Sequence, residues 1–460
     1  MAQVCPFRAY RYNPARVPIE RVLTQPYDKI SPEMQDAYYA ADAHNLIRIE
    51  KGRAFPADTP EHNVYTRALE ALEGWTSEGA LEQDAAPCFH AYFQEYEVPG
   101  AKERRVRKGF IGLGKLEDYG SGVVFRHEQT LEGPKADRLE LLRRTRAQTG
   151  QLFMLYADRE RRVGALLDEA AASAPPTVEV REPDGVVHRL WPIVAADRLA
   201  EIQRFMAPQK LVIADGHHRY ETALNYRNER RARLGRAGAA RGAADASYER
   251  AMMTFINCYD QGLTILPTHR VVSNVGDFSL HRLFSQLLPH FDIGSHPFEG
   301  GRERERAYDA FHSHFTEQWR DREQRYLGVY AGADRSWCGE QAFFVLSLKR
   351  GADLAKLLPG VSPMQRELDV VLLHRLLLEK CLGISEQAVA AEQCVAYQRD
   401  VEAAIAAVDR GAAQCAFLLN PIAAEQVMRV ATAGEVLPQK STDFYPKLLS
   451  GIAIYRLEEG

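Results

Sequence analysis

The run Ile213-Ala-Asp-Gly-His-His-Arg-Tyr-Glu-Thr-Ala-Leu224 constrains this chain more than any other feature, because it requires an apolar strand to turn sharply into a helix. Leu211, Val212 and Ile213 read as the end of a buried strand, and Asp215-Gly216 as the turn. Tyr220 to Arg230, free of proline and glycine, reads as the helix. The first N–H groups of such a helix have no intrahelical acceptor and lie at the positive end of its dipole, so the turn suits an anion. His217, His218 and Arg219 stand around that position. The guanidinium offers a planar fork for phosphate, the imidazoles donate hydrogen bonds or carry protons, and Asp215 is a candidate ligand for Mg²⁺ or a substrate group. A structural reading stands beside this one. Asp215 is a good N-cap, Arg219 and Glu221 can be solvated, and one histidine can satisfy a core carbonyl. Four polar side chains crowded at one strand-to-helix turn favour the functional reading, since ionisable clusters concentrate at working sites.

At 460 residues the chain has length for two or three lobes. A net charge of -4 gives no general affinity for nucleic acid or acidic membranes. The one basic stretch, Arg227, Arg230, Arg231, Arg233, Arg236 and Arg241, carries no interleaved aromatic residues for base stacking and reads as a solvated helix end and loop. The seven cysteines are scattered and never form a Cys-x-x-Cys pair, which argues for a reducing compartment and against zinc. No secretory signal and no membrane-spanning run are evident, so a cytoplasmic location is expected.

Along the chain, strands are expected at Phe7 to Tyr12, Phe89 to Val98, Arg104 to Leu116, Val186 to Val194, Arg250 to Tyr259 and Thr264 to Val272. Pro99-Gly100 marks a hairpin turn, and Ser31 with Pro32 marks the start of a helix to Ala43. Further helices are expected after Lys135 through Ala147 and over Asp197 to Met206. From Ala232 to Ala246 the chain reads as a loop that can act as a lid. Beyond Gly276 long amphipathic helices dominate, over Phe278 to His290, Arg302 to Trp319, Met364 to Leu382 and Arg399 to Arg410. Strands recur at Ala342 to Leu348, Gln414 to Leu419 and Gly451 to Tyr455. The fold class is therefore α/β, or mixed α+β, with a catalytic core over 1–275 and a helix-rich α/β lobe over 276–460.

Six ordered blocks carry a resemblance that runs nearly end to end: Gln25-Pro-Tyr-Asp-Lys-Ile-Ser31, His127-Glu-x-Thr130, Pro134-Lys-x-Asp-Arg138, Ala214-Asp-Gly-His-His-Arg-Tyr220, Pro267-Thr-His-Arg270, and Lys440-Ser-Thr442 with Phe444-Tyr-Pro-Lys447. Together they resemble the prokaryotic domain-of-unknown-function family 1015. Within them, Leu211 to Leu224 is similar to the phosphate-binding box of the ParB and sulfiredoxin superfamily, and especially of its free-serine kinases. That likeness implies that Asp215, Gly216, His217, His218 and Arg219 grip nucleotide phosphates. In those kinases a glutamate in an early loop activates the serine hydroxyl; the comparable loop here, Thr24 to Ser31, offers Asp28 and no glutamate, so Asp28 is the candidate base.

Other groups qualify as substrate ligands. Tyr27 sits in a proline-bounded turn, and His127, Glu128, Lys135 and Arg138 can embrace a second phosphate or an acceptor carboxylate, or can equally be the exposed start of a helix. His269, Lys440 and Lys447 are further candidates, with core or solvated roles open to each. No Walker loop, dinucleotide fingerprint, nucleophile elbow or His-Glu-x-x-His motif is present, and Gly109-Phe-Ile-Gly112-Leu-Gly114 sits inside an alternating strand. The leading expectation is a phosphotransferase of serine metabolism, acting on free serine or another small hydroxyl compound, with ADP, ATP or polyphosphate as donor and Mg²⁺ as cofactor. A phosphomonoester phosphatase and a non-catalytic nucleotide- or DNA-binding regulator are the alternatives.

Overall fold

Alternating residues on both sides of Pro99-Gly100 build the central hairpin of the first unit: Phe89–Glu97 pairs with Arg104–Lys115 from His90↔Ile111 to Glu97↔Arg104, around a Gly100 at φ +76°. The computed structural model describes residues 1–128, 135–238, 246–317, 324–332, 337 and 341–458. The chain divides into two units. The first comprises Met1–Thr264, Ala431–Gly434 and Phe444–Gly460, and the second Ile265–Val430 and Glu435–Asp443. Both mix helix and strand. The reading of everything past 276 as one lobe therefore differs from the structure, which returns Phe444–Gly460 to the first unit.

The nine-stranded sheet of the first unit runs in the order Val124–Arg126, Leu211–Asp215, Leu152–Tyr156, Arg250–Asn257, Arg104–Lys115, Phe89–Glu97, Val187–Ile193, Val178–Arg181, with Val4–Cys5 on Arg104–Lys115. On one face Phe89, Ala91, Phe110, Met154 and Phe255 form a continuous core with Val163, Leu166 and Leu167 of helix Arg162–Ser173 and with Ile202 and Met206 of helix Ala196–Met206. Burial of each such side chain contributes about 1.5–3 kcal/mol before entropy is counted. The other face carries buried polar groups, and the C-terminal segment supplies acceptors to several of them. Arg107, wholly buried, donates to the carbonyls of Tyr445 and Pro446 and to Gln94 Oε1; Gln94 donates to Lys447 O and Gln151 to Leu449 O. Gly109 is a packing residue: a Cβ there would lie 2.1 Å from Ile256 Cδ1. The glycine run inside this strand is thus a device for close sheet packing, with no phosphate loop.

Among the described residues of the second unit six strands pair antiparallel in the order Phe291–Pro297, Ala342–Leu348, Tyr326–Tyr330, Cys415–Leu418, His269–Val272, Val395–Gln398. Helices Gly301–Glu317 and Val401–Asp409 lay Phe311, Ala404 and Val408 on this sheet. The segment expected as one helix over Met364 to Leu382 divides into a 3₁₀ turn, Gln365–Glu367, an α-turn, Asp369–Leu372, and a π-helix, Leu373–Cys381. Among the described residues no helix is long and apolar enough to cross a membrane. The lid expected over Ala232 to Ala246 falls partly outside the described residues, at 239–245.

Candidate functional site

Strand Leu211–Asp215 lies between Val124–Arg126, parallel to it, and Leu152–Tyr156, antiparallel to it; the pairing slips one residue between Ile213 and Asp215. Such a bulge re-aims the side chains at a strand end. Gly216 follows at φ +93°, a conformation that costs any other L-residue, and the helix His217–Gly238 begins at once, three residues earlier than its pattern predicts. A Cβ on Gly216 would sit 3.2 Å from Arg219 Cζ. The glycine therefore serves both the turn and the close approach of the guanidinium.

Cationic side chains surround the Asp215 carboxylate at this turn. Asp215 Oδ1 accepts from Gly216 N at 2.8 Å, and Lys447 Nζ stands 3.3 Å from Oδ2. Burial opposes ionisation of Asp215, but Lys447, Arg219 and Lys29 more than offset it and hold the carboxyl well below the usual range. Behind it lie two histidines. His127 is 1% exposed, its Nδ1 donates to Ile213 O at 2.6 Å, and its ring centroid is 4.9 Å from that of His217 and 6.0 Å from that of Phe444. Burial pushes His127 down to about 4, and burial followed by the His127 neighbour pushes His217 well below its ordinary value, so both rings are neutral at pH 7. His217 Nε2 is buried and has no hydrogen-bond partner among the described residues. A buried polar atom without a partner costs roughly 1–3 kcal/mol, which a ligand oxygen would recover.

Beside the turn opens a cavity of about 70 Å³ lined by Tyr27, Glu50, Arg138, Thr149, Gly150 and Arg219 among others. The Arg138 guanidinium lies 4.6 Å over the Tyr27 ring, and its Nη1 donates to Glu50 O at 2.6 Å. The Glu50 carboxylate, almost fully buried, accepts from the hydroxyls of Thr149 and Ser450. Arg219 Nη1 donates to Gln151 O. One wall of the cavity thus combines arginine donors with a buried carboxylate, carried by helices Ile47–Glu50, Lys135–Thr145 and His217–Gly238.

The predicted site residues separate into two groups. Asp215, Gly216, His217, Arg219, Tyr27, His127 and Arg138 are brought together as described, and His218, partly exposed, is on the same helical turn. Glu128 follows His127, with Oε2 4.0 Å from His127 Nε2 and a side chain 23% exposed. Asp28 is 38% exposed on the turn Tyr27–Lys29 and pairs with Lys29 at 3.6 Å. The side chain of Lys135, and residues 129–134, lie outside the described residues. His269 and Lys440 belong to the second unit. There His269 is 4% exposed and accepts from Leu419 N at 3.2 Å, with burial holding it at about 4, while Lys440 pairs with Glu392 and lies 4.4 Å over the Tyr397 ring. Lys447, which the expected boundary at 276 assigns to the helix-rich lobe, is instead part of the first unit. Glu50, Lys29 and Gln151 were missed, because nothing local in the sequence sets them apart. At Asp215, the residue expected to hold magnesium, Lys447 Nζ stands 3.3 Å from the carboxylate. The cluster Asp84, Cys88 and His90 brings three metal-ligand atoms within 4.8 Å of one another, but Arg11 pairs with Asp84 at 2.6 Å and supplies the cation.

The family model described as "Protein of unknown function (DUF1015)" matches residues 4–371. Among curated proteins no match is found. Among solved structures the chain is similar to a conserved hypothetical protein from Pyrococcus furiosus, at 12% identity over 70% of this chain and 86% of that one, with a TM-score of 0.30. It is also similar to a free serine kinase in complex with AMP, at 11% identity over 73% of this chain and 88% of that one, with a TM-score of 0.32. A variant of free serine kinase in complex with ADP gives the same four values.

Proposed function

Starting from a chain that belongs to the DUF1015 family, we propose a phosphotransferase acting on a small hydroxyl compound, with free serine as the leading acceptor and ADP, ATP or polyphosphate as donor. The observation that carries this reading is the Lys447 ammonium 3.3 Å from the Asp215 carboxylate at the mouth of a long helix, with Arg219 on its first turn and, beside them, a buried His217 Nε2 that finds no hydrogen-bond partner among the described residues. The choice of serine rests on the likeness of Asp215 to Arg219 to the phosphate box of free-serine kinases.

Phosphoryl transfer asks a protein mainly for in-line positioning and charge neutralisation. The acceptor oxygen attacks the terminal phosphorus as the bond to the leaving phosphate oxygen breaks. Backbone N–H groups after Gly216, together with Arg219 and Lys447, balance the charge on the moving group, and His217 Nε2–H donates to one of its oxygens. The acceptor proton passes to Glu128, which is less exposed than Asp28 and adjoins His127 in the heart of the site. Asp28, already paired with Lys29, steers the loop that holds Tyr27.

The test is direct. Purified protein is incubated with serine and each of ADP, ATP and pyrophosphate, and separately with phosphoserine, and phosphorus NMR follows the products. Phosphoserine formed from at least one donor supports the proposal, and no transfer from any donor refutes it. Hydrolysis of phosphoserine without transfer favours the phosphatase reading, for which the neutral His217, its Nε2 without a partner among the described residues, would be the nucleophile. A DNA-binding role draws less support. Arg227, the first residue of the basic stretch, is 2% exposed and donates to Leu116 O and Asp118, and Arg231 pairs with Glu249 at 2.5 Å.

A further inference from the structure

The second unit contains a cavity of its own, about 200 Å³, which the reading above does not use. It opens where strands Tyr326–Tyr330 and His269–Val272 begin and strand Cys415–Leu418 ends; the antiparallel order of these three neighbours brings the termini to one edge of the sheet. Arg325 and Asp369 line it from different elements, with Thr268, Asn420 and Ser441 adding polar groups and Val370 and Ile422 an apolar wall.

Two features mark this cavity as built for a ligand. Arg325 Nη1 is buried and finds no hydrogen-bond partner among the described residues, although a guanidinium N–H left unpaired is costly. Its opposite charge, Asp369, stands with Oδ1 4.0 Å from Arg325 Nε, beyond hydrogen-bonding distance, and is not a closed ion pair. Burial pushes the Asp369 carboxyl up to about 6 and Arg325 only partly counters this, as expected of a carboxyl short of partners. The neighbouring charges are already committed: Glu367 pairs with Arg429, and Arg270 donates to Thr268 O and packs on the Tyr397 ring. A guanidinium with a spare donor and a carboxylate with spare acceptors, facing one small polar space, match a molecule that carries both a carboxylate and an ammonium group.

We propose that this cavity binds a free α-amino acid, its carboxylate on Arg325, its ammonium on Asp369 and its side chain towards Val370 and Ile422. The site lies wholly in the second unit and does not depend on the phosphotransferase reading.

Calorimetric titration of the full chain with the free proteinogenic amino acids, one at a time, tests it. At least one should bind saturably, and its N-acetyl and carboxamide derivatives should each bind at least about tenfold more weakly to the same wild-type protein. Arg325→Met and Asp369→Asn should weaken binding by a similar factor. The derivatives keep the test informative if either variant fails to fold. The proposal is overturned if no amino acid binds, if the blocked derivatives bind as well as the parent, or if folded Arg325→Met and Asp369→Asn both bind as tightly as the wild type, which would place the ligand outside this cavity.

Discussion

Arg219 has two tasks, and substitutions separate them. It holds Gln151 O, and it presents the rest of its fork to the turn. Its replacement by alanine removes one partly exposed hydrogen bond, worth about 1 kcal/mol, but a group that acts on the transferring phosphoryl is worth roughly 100-fold or more in rate. We therefore expect Arg219→Ala and His218→Ala each to lower phosphoserine formation by at least about 100-fold while the melting temperature shifts by only a few degrees. Full activity in either variant would remove the motif from the chemistry. His127 makes a different prediction. Its folded value, about 4, lies below its ordinary 6.5, so the unfolded chain takes up a proton first and stability is lost as pH falls from 6.5 towards 4. Between pH 8 and pH 5 this one ring should cost about 2 kcal/mol. His127→Gln, which can still donate to Ile213 O, should flatten the pH dependence of urea unfolding by that amount; an unchanged slope would mean the ring is charged in the fold.

The strand–turn–helix that carries these residues was legible in the sequence because its signals are local: a short apolar run, Asp-Gly, then a stretch without breakers. The helix nonetheless starts at His217, since the glycine at φ +93° completes the turn in a single residue. Gly216→Ala puts a Cβ against the Arg219 guanidinium and forces a left-handed alanine, at a cost of roughly 1–2 kcal/mol. Loss of most transfer activity together with a lower melting temperature is the expected result; an active, equally stable variant would show that the turn tolerates a side chain. Helix Val64–Ser77, by contrast, escaped the reading although Asn63 and Thr66 form a reciprocal capping box. Asparagine followed by threonine at that spacing is a weaker signal than serine followed by glutamate. The expected single helix over Met364 to Leu382 failed for another reason: apolar residues crowd its second half on more than one face, leaving no single stripe for an α-helix to present.

The C-terminal segment is part of the first unit's interior. It gives Lys447 to Asp215, Phe444 to the rings of Phe153 and His127, two carbonyls to the buried Arg107, and a strand, Tyr455–Arg456, to Ala147–Gln148. A chain ended at residue 443 leaves a wholly buried guanidinium short of its acceptors, a loss on the order of 3–5 kcal/mol by itself. Such a chain should melt more than about 10 °C lower or fail to accumulate in soluble form; a truncated chain with an unaltered melting curve would contradict this account.

The sequence by itself determined the class of fold, the turn at Asp215-Gly216 and the residue types around it, because these follow from periodicity and backbone sterics over a dozen neighbours. Tertiary structure alone decided that Lys447, some 230 residues further on, is the cation that closes on Asp215, and that Glu50, Tyr27 and Arg138 wall the adjoining cavity. Electrostatic partnership depends on distance in space, and no local pattern in the chain records which distant charge the folded backbone will bring within 4 Å.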